Sequence, residues 1–341
     1  MISAAGHDLF RKLTDAAEEV VLSTHLNPDG DALGSQLSLA RYLVSRGKRV
    51  RIINQDPTPR NLRFLENEET PIEIYDPARH DEAVRSVDLV ALVDNAAPDR
   101  LGTMEPLMLS VADRTLCIDH HPSRGSPWAH PVLDEESCAT AVMIYELTRA
   151  CGWTPDRKAA EAMYVGLATD TGFFRFNSTT ARAHNVAAEL LRLGVSPADA
   201  YRSIYERNSL SYTRLHGHAL VGLQLASGGA IGAVALRREL IRDLGAEEVD
   251  TTEIATSLLA MDGLGIALLF RELPDGRVKV SLRSKGAVDV YTLAGEFGGG
   301  GHRNASGIVI DGPLDDVVRA VMDRTIAVWA MRDSPPADGE A

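Results

Sequence analysis

The chain has 341 residues, of which 45% are hydrophobic, and a formal net charge of −13 at pH 7. This length and apolar content suffice for two domains with separate cores. No stretch approaches the roughly 18 uninterrupted apolar residues of a membrane span, and the N-terminus lacks the basic flank and apolar core of a signal peptide. We therefore expect a cytoplasmic protein without a membrane partner. A protein that binds along a long nucleic acid normally needs many Lys and Arg residues to neutralise the phosphates. The negative net charge and the lack of a Lys/Arg-rich run therefore favour a short substrate bound in a local pocket.

Predicted strands and helices alternate along the first half, which indicates an α/β fold with a doubly wound, mostly parallel sheet. The predicted strands cover residues 19–24, 50–54, 87–93 and 116–118, and the predicted helices cover 32–47, 139–151, 157–169 and 180–193. The second half predicts a hairpin of 219–225 with 230–236 across residues 227–229, a strand over 278–282 and a final helix over 314–331. The expected organisation is a first domain over 1–195, a helical connector over 196–216, a smaller α/β domain over 217–332 and a disordered tail over 333–341.

The three cysteines show no pattern of a metal or disulfide framework. Cys117, Cys138 and Cys151 lack Cys-x-x-Cys spacing, and their number is odd. We interpret them as small buried hydrophobic residues.

The segment from His25 to Asp31 reads His-Leu-Asn-Pro-Asp-Gly-Asp directly after an apolar run that ends at Leu22. A strand ending there would present His25, Asp29 and Asp31 at its carboxyl end, where open α/β sheets bind ligands. Pro28 and Gly30 bend the backbone so that the two carboxylates can face different ions. Taken alone, the segment is equally compatible with an Asp-capped helix start.

Three further predicted segments end in Asp or His residues in the same way. An apolar strand ends in Asp94-Asn95, another ends in Asp119-His120-His121, and a helical segment runs into Thr169-Asp170-Thr171-Gly172. A single Asp at a strand end is usually a cap, but four such sites in one predicted domain favour metal binding.

With these motifs, the chain resembles the DHH phosphoesterase superfamily, whose signature is the Asp119-His120-His121 triplet preceded by His25-x-x-Pro28-Asp29-x-Asp31. Asp94 and Asp170 fall in the family's order and approximate spacing. The second half contains Ser281-Leu-Arg283-Ser and Phe297-Gly-Gly-Gly-Gly-His302, which look like motifs of a DHHA1 domain. The resemblance covers about residues 10–330 and is closest to the short DHH-DHHA1 proteins that act as oligoribonucleases and phosphatases of 3′-phosphoadenosine 5′-phosphate (pAp).

The resemblance implies a dinuclear metal site in the first domain, a DHH catalytic domain. His25, Asp29 and Asp94 would hold one ion, Asp31, Asp94, His120 and Asp170 the other, and Asp94 would bridge the two. Imidazole and carboxylate ligands without thiolate favour two Mn²⁺, with Mg²⁺ or Co²⁺ as alternatives. The ions would activate a water to hydroxide, which attacks the phosphorus.

Asp119 and His121 are expected to assist rather than to bind the ions. We interpret Asp119 as a hydrogen-bond acceptor for a ligating imidazole. By resemblance, His121 contacts the phosphate and helps to protonate the leaving oxygen, as a catalytic residue together with Asp119 and Asp94. The alternative for His121 is a solvent-exposed histidine at a helix start.

The second domain is expected to bind the substrate. Arg283 can hold a phosphate through two hydrogen bonds, while Gly299, Gly300 and Gly301 let backbone amides approach it and His302 adds a side-chain contact. Without the resemblance, a glycine run most often indicates a flexible turn. If metals and anchors lie in different domains, we expect the active site in the cleft between them.

The expected function is hydrolysis of short RNA oligonucleotides (nanoRNA) to mononucleotides and of pAp. The nearest alternative is a phosphodiesterase acting on cyclic or linear dinucleotides such as c-di-AMP or pApA. A family II pyrophosphatase and a RecJ-like exonuclease fit the second half less well. From another class, a catalytically silent nucleotide sensor remains open, although it would not need the complete set of metal positions. A homodimer is expected by family analogy alone.

Overall fold

The computed structural model describes residues 1–122 and 125–331. The chain divides into two compact units, Met1–Arg207 and Asn208–Ala341, each with its own six-stranded sheet. The predicted disordered tail over residues 333–341 lies outside the described residues. The three cysteines are free thiols, and Cys117 and Cys138 are buried. Within the described ranges, no helix combines the length and apolar character needed to cross a bilayer.

The first unit contains every strand and helix predicted for it, with ends shifted by at most two residues. Its strands are Glu19–Ser23 (β1), Arg49–Asn54 (β2), Ile72–Ile74 (β3), Leu89–Val93 (β4), Thr115–Asp119 (β5) and His130–Leu133 (β6). Its helices are Ala4–Ala16 (α1), Gly30–Ser45 (α2), Pro77–Ser86 (α3), Glu105–Leu109 (α4), Thr140–Ala150 (α5), Arg157–Asp170 (α6), Ala181–Arg192 (α7) and Pro197–Tyr205 (α8). The short edge strands β3 and β6 have no counterpart in the sequence-based prediction, because three or four residues are too few for a clear period.

The sheet of the first unit is parallel throughout, in the order β3-β2-β1-β4-β5-β6. Alternate side chains of one strand enter different cores: Val20 and Leu22 pack into one apolar cluster and Val21 into another. Both faces are therefore buried, which confirms the predicted doubly wound α/β fold. The strand order reverses between β1 and β4, where open α/β sheets bind their ligands.

Helices α2 and α6 approach each other closely at two glycines. A Cβ atom on Gly34 would lie 2.3 Å from the carbonyl oxygen of Ala162, and one on Gly166 would lie 2.8 Å from Asp31 Oδ1. Any side chain at these positions would push the helices apart. The glycines therefore bring Asp31, on the first turn of α2, against α6, whose last residue is Asp170.

The second unit is built on a mixed sheet in the order β11-β12-β10-β9-β8-β7. Its strands are Gln224–Ala226 (β7), Ile231–Leu236 (β8), Ile266–Glu272 (β9), Val278–Ser284 (β10), Gly300–His302 (β11) and Ala305–Ile310 (β12). Its helices are Leu210–Val221 (α9), Arg238–Asp243 (α10), Thr252–Leu258 (α11), Val290–Gly295 (α12) and Leu314–Met331 (α13). Only β8 and β9 pair in parallel, and the other neighbours are antiparallel.

The start of the second unit differs from the prediction in one respect. The hairpin across residues 227–229 is present, since β7 pairs antiparallel with β8. The predicted strand over 219–225 is wrong in its first part, because α9 continues to Val221. Leu215 and Ala219, one helical turn apart, are both fully buried in the same apolar cluster. Burial of this helix face decides the local conformation.

Candidate metal centre

The carboxyl ends of β1, β4 and β5 and two helix ends bring the predicted metal-binding side chains together. Two follow β1, one follows β4, one follows β5, one opens α2 and one closes α6. Their ligand atoms form two groups within 4.8 Å of one another, one of His25, Asp29 and Asp94 and one of Asp31, His120 and Asp170, and a third group links Asp94 and His120 with His121. The six residues are His25, Asp29, Asp31, Asp94, His120 and Asp170.

His25 presents an unprotonated nitrogen to two carboxylates. Its Nδ1 lies 2.7 Å from the carbonyl oxygen of Leu26, which can only accept, so Nδ1 carries the proton. Its Nε2 lies 3.4 Å from Asp94 Oδ2 and 3.9 Å from Asp29 Oδ2. This nitrogen is buried and has no hydrogen-bond partner within the described residues. Burial lowers the pKa of His25, which keeps the ring neutral.

His120 repeats this arrangement on the other side of Asp94. Its Nδ1 lies 3.1 Å from the carbonyl oxygen of Ser137. Its Nε2 lies 3.3 Å from Asp170 Oδ2, 3.6 Å from Asp94 Oδ1 and 3.8 Å from Asp31 Oδ2. Like the corresponding atom of His25, it has no hydrogen-bond partner in the described part of the chain.

Asp94 lies between the two imidazoles and turns one oxygen toward each. The residue is 1% exposed and has a φ of 60°, a left-handed conformation that is uncommon outside glycine, asparagine and aspartate. Its amide nitrogen donates to the carbonyl oxygen of Ile118 at 2.8 Å, which ties the turn to β5. Thr140 Oγ1 donates to Asp94 Oδ1 at 3.0 Å and orients the carboxylate.

Asp29 is placed both to cap a helix and to bind a metal ion, the two roles that its motif predicts. Its Oδ1 accepts hydrogen bonds from the amides of Asp31 and Ala32, each at 3.0 Å, and so caps α2. Its Oδ2 faces His25. A helix cap and a metal ligand are therefore compatible in one carboxylate.

Asp31 is held by a distant helix. Helix α5 begins after Ala139, which has no capping side chain. The amides of Thr140 and Ala141 instead donate to the two carboxylate oxygens of Asp31 at 2.6 and 2.9 Å. Asp31 thus satisfies the start of α5, and α5 fixes the direction of Asp31.

The charges of this cluster favour cations. Burial raises the pKa of Asp31 well above its usual range, and the charges of Asp94 and Asp170 raise it further. Burial, followed by nearby carboxylates, also raises the pKa of Asp94, and burial raises the pKa of Asp170. Divalent cations reverse this effect by stabilising the ionised carboxylates. Together with the Nε2 atoms of His25 and His120, the carboxylates fit a pair of metal ions.

Asp119 contacts His121 rather than a predicted ligand. Its Oδ1 accepts from the amide and from Nδ1 of His121, at 3.0 and 2.8 Å, and its Oδ2 accepts from the amide of Ala96 at 2.6 Å. Burial alone would raise the pKa of Asp119, but the hydrogen bonds from His121 outweigh it and the pKa is lowered. The same side-chain bond raises the pKa of His121. The imidazoles of His25 and His120 are held by backbone carbonyls instead.

The predicted substrate-binding side chains of the second unit lie on three adjacent strands. Arg283 on β10 is opposite Ala305 on β12, which is opposite His302 on β11. Residues directly opposite one another share a face of the sheet, so the arginine and the histidine do as well. Arg283 Nε donates to Thr256 Oγ1 at 3.2 Å, and Nη1 donates to the carbonyl oxygen of Leu282 at 2.9 Å. Burial lowers the pKa of this guanidinium.

The three predicted glycines occupy different environments. A Cβ on Gly299 would lie 2.3 Å from the carbonyl oxygen of Gly307, and one on Gly301 would lie 2.6 Å from that of Ala305. Both glycines are therefore required by the close approach of neighbouring strands. Gly300 has nothing within 4 Å of its Cβ position and faces open space. The structure thus gives two of these glycines a packing role that sequence reasoning missed.

Arg100 is a further charged residue that sequence reasoning missed. It lies in the 3-10 segment Pro98–Met104, and its carbonyl oxygen accepts a hydrogen bond of 2.8 Å from the amide of Leu26. The side chain is half-buried, and within residues 1–122 and 125–331 it forms no ion pair. The burial of His25 is the largest cause of its lowered pKa, and the positive charge of Arg100 lowers this pKa further. In the sequence it resembles any solvated arginine, so only its spatial position identifies it.

Both halves of the chain match known protein domains. Residues 19–167 match the DHH family, N-terminal domain, and residues 231–327 match the DHHA1 domain. The bifunctional oligoribonuclease and PAP phosphatase NrnA of Thermus thermophilus is 36% identical over 307 residues, covering 89% of this chain and 88% of that protein. The protein of the same name from Bacillus subtilis is 29% identical over 298 residues, covering 86% and 90%.

A solved structure is similar over the whole chain. The crystal structure of an exopolyphosphatase-related protein from Bacteroides fragilis gives a TM-score of 0.87 at 27% sequence identity, covering 98% of this chain and 99% of that one. The resemblance inferred from the sequence motifs is therefore confirmed. Because the family models match both units and one relative exceeds 30% identity over most of both chains, the protein belongs to the DHH family and carries a C-terminal DHHA1 domain.

Proposed function

We propose that this protein is a metal-dependent phosphohydrolase that degrades short RNA oligonucleotides to mononucleotides and dephosphorylates pAp. Both relatives described above are named for an oligoribonuclease and a PAP phosphatase activity. One observation carries the proposal: two buried imidazole nitrogens, which have no hydrogen-bond partner among the described residues, face four carboxylates at distances of 3.3 to 3.9 Å. A donor set of this kind binds cations, and paired cations are a common device for phosphoester hydrolysis.

The donor types favour Mn²⁺. Imidazole and carboxylate ligands without thiolate suit Mn²⁺, with Mg²⁺ and Co²⁺ as alternatives. We assign the residues to two sites that share one carboxylate: His25, Asp29 and Asp94 to the first, and Asp31, Asp94, His120 and Asp170 to the second. Asp94 is suited to the shared position because its two oxygens face different imidazoles.

The side chains around the cluster have separate roles in the proposed reaction. When bound, the two cations lower the pKa of water and stabilise the negative charge that develops on the phosphoryl group. His121 holds a proton because Asp119 accepts from its Nδ1 and raises its pKa. The raised pKa favours the imidazolium form, whose second proton, on Nε2, can pass to the leaving oxygen. Arg100 adds a positive charge beside the cluster, where it can bind a phosphate oxygen.

The first experiment measures product formation with Mn²⁺ from an RNA dinucleotide, a long single-stranded RNA, pAp and pyrophosphate. Each is repeated with Asp94→Asn, which keeps the size of the side chain and tolerates the left-handed backbone but removes the charge. Asp113→Asn is the matched control, because Asp113 is 77% exposed and lies outside the cluster. We expect turnover of the dinucleotide and of pAp that is lost in Asp94→Asn and kept in Asp113→Asn. Preference for pyrophosphate or the long RNA would refute the proposed substrate class.

Two additional assays distinguish the alternative metals, the alternative substrates and the sensor hypothesis. Chelation followed by addition of Mn²⁺, Mg²⁺ or Co²⁺ identifies the metal, and we expect the highest activity with Mn²⁺. Cyclic and linear dinucleotides are tested in the same assay. Nucleotide binding without metal-dependent turnover of any substrate would instead indicate a sensor.

We also propose that Arg283, Gly300 and His302 of the second unit bind the substrate. Support comes from the shared face of Arg283 and His302 and from the open space at Gly300. Arg283→Lys keeps the charge but loses the planar pair of donors, so it separates charge from geometry. We expect a higher KM and an unchanged affinity for Mn²⁺. A loss of Mn²⁺ binding would contradict this assignment.

A further inference from the structure

The turn that follows Asp170 has an unusual backbone. Gly172, Phe173 and Phe174 are consecutive and all left-handed, with φ values of 56°, 54° and 66°. Aromatic residues rarely adopt this conformation, and strained positions concentrate at functional sites. The turn is held by Thr171, whose Oγ1 accepts from the amide of Phe174 at 3.1 Å.

The turn carries the ring of Phe176 back over Gly172. A Cβ on Gly172 would lie 2.6 Å from Phe176 Cζ, so only glycine permits this position of the ring. The amide of Phe176 donates to the carbonyl oxygen of Thr171 at 3.0 Å, and its carbonyl oxygen accepts from the amide of Thr179 at 3.0 Å. The ring of Phe176 is therefore held against Gly172, which follows Asp170 by two residues in the chain.

Phe176 differs from the two phenylalanines before it. Phe173 and Phe174 pack against the core of the first unit, and Phe174 stacks on His184 with ring centroids 5.2 Å apart. Phe176 is 49% exposed. The guanidinium carbon of Arg175 lies over its ring, 5.3 Å from the centroid. Within the described residues, this is the only ring or cation contact of Phe176, so much of its aromatic surface remains available.

We propose that Phe176 is a stacking surface for a nucleobase of the substrate. The inference rests on the proposed function, since it requires that a nucleotide phosphate binds at the cluster containing Asp170. Only the sugar separates a base from its phosphate, so a phosphate at the cluster places its base near the turn. Stacking tolerates every base, because all bases have an aromatic face. Phe176 would therefore distinguish nucleotides from inorganic phosphates without distinguishing one base from another. The guanidinium of Arg175, which lies over the ring, adds a cation–π contact.

The test compares substrates with and without a base. Wild type and Phe176→Ala are assayed with pAp and with 1-deoxyribose 3′,5′-bisphosphate, which has the same phosphates and no adenine. We expect Phe176→Ala to raise the KM for pAp by about 5- to 100-fold and to leave the KM of the base-free compound unchanged. Phe176→Tyr should restore the wild-type KM. Equal effects on both compounds, or none on pAp, would overturn the proposal.

Two further measurements keep this test separate from the proposed function. Ile74→Ala removes an apolar side chain of similar exposure, 45%, from the edge strand β3 and should change neither KM. If the wild type hydrolyses none of the compounds, the proposed function fails, and stacking is then tested by the fluorescence of a dinucleotide that contains 2-aminopurine. Quenching by wild type and Phe176→Tyr, but not by Phe176→Ala, would support stacking. Equal quenching by all three would refute it.

Discussion

Thr140 provides a sharp test of the metal centre because it contacts the proposed shared ligand without being a ligand itself. Its hydroxyl donates to Asp94 Oδ1 at 3.0 Å, and both residues are buried. Thr140→Val removes this donor and keeps the shape of the side chain. The amide of Thr140 continues to donate to Asp31, so the start of α5 is preserved.

The expected loss of Mn²⁺ affinity follows from the charge of the hydrogen-bond acceptor, Asp94. A hydrogen bond to a charged group contributes about 1.5–3 kcal/mol, which corresponds to about 10- to 100-fold in an equilibrium constant. Loss of partners that orient metal ligands has typical effects of about the same size. Without its hydroxyl donor, the carboxylate of Asp94 loses the contact that directs one oxygen toward each imidazole. We therefore expect the apparent affinity for Mn²⁺ to fall by about 10- to 100-fold.

Thr148→Val is the matched control. Thr148 lies on the same helix and is equally buried, but its hydroxyl donates to the carbonyl oxygen of Ile144 at 2.7 Å. Both variants lose one buried hydroxyl, and the free energy of unfolding should fall by about 1 kcal/mol in Thr148→Val and by about 1.5–3 kcal/mol in Thr140→Val, whose acceptor is charged. Metal affinity is measured by calorimetric titration of the chelated protein with Mn²⁺. Equal affinities of the two variants would refute the role of Thr140 in orienting Asp94.

Three further predictions concern stability and substrate binding. Arg182→Met removes one of two cationic partners of Asp134, a carboxylate with 3% side-chain exposure that also accepts from the N-terminal amine at 3.1 Å, and should lower the free energy of unfolding in urea by about 1–3 kcal/mol. Burial raises the pKa of Asp134, but the hydrogen bond from Arg182 lowers it, and the net effect in the folded protein is a lowered pKa. The ion pair therefore stabilises the protein fully above the pKa that Asp134 has in the unfolded chain, and this stabilisation is lost as the pH falls through the pKa of Asp134 in the folded protein. The difference in unfolding free energy between wild type and variant should therefore shrink below about pH 4. Gly299→Ala places a Cβ 2.3 Å from a carbonyl oxygen and should destabilise the protein by about 1–3 kcal/mol, whereas Gly300→Ala, in open space, should leave the melting temperature unchanged. Arg100→Met should raise the KM for pAp by about 10- to 100-fold at saturating Mn²⁺, and an unchanged KM would contradict a phosphate contact.

Much of the fold and the composition of the candidate metal site follow from the sequence. The alternation of apolar runs and helical patterns predicts a parallel sheet, and the carboxyl ends of parallel strands meet at one edge. His25, Asp94 and His120 each follow an apolar run, so their convergence is predictable without coordinates. Asp31 and Asp170 are assigned by their motifs, and the structure places both beside His120.

The tertiary structure decided what depends on contacts between distant segments. The amides that hold Asp31 belong to α5, 109 and 110 residues further along the chain. Arg100 and Phe176 have no distinctive local pattern, and the packing requirement at Gly299 arises from a neighbouring strand. Local periodicity encodes which face of a helix or strand is buried, whereas the direction of a carboxylate oxygen or a guanidinium is set by the elements that pack around it. The sequence by itself determined which side chains gather at the edge of the sheet, and only the tertiary structure decided how each one is oriented there.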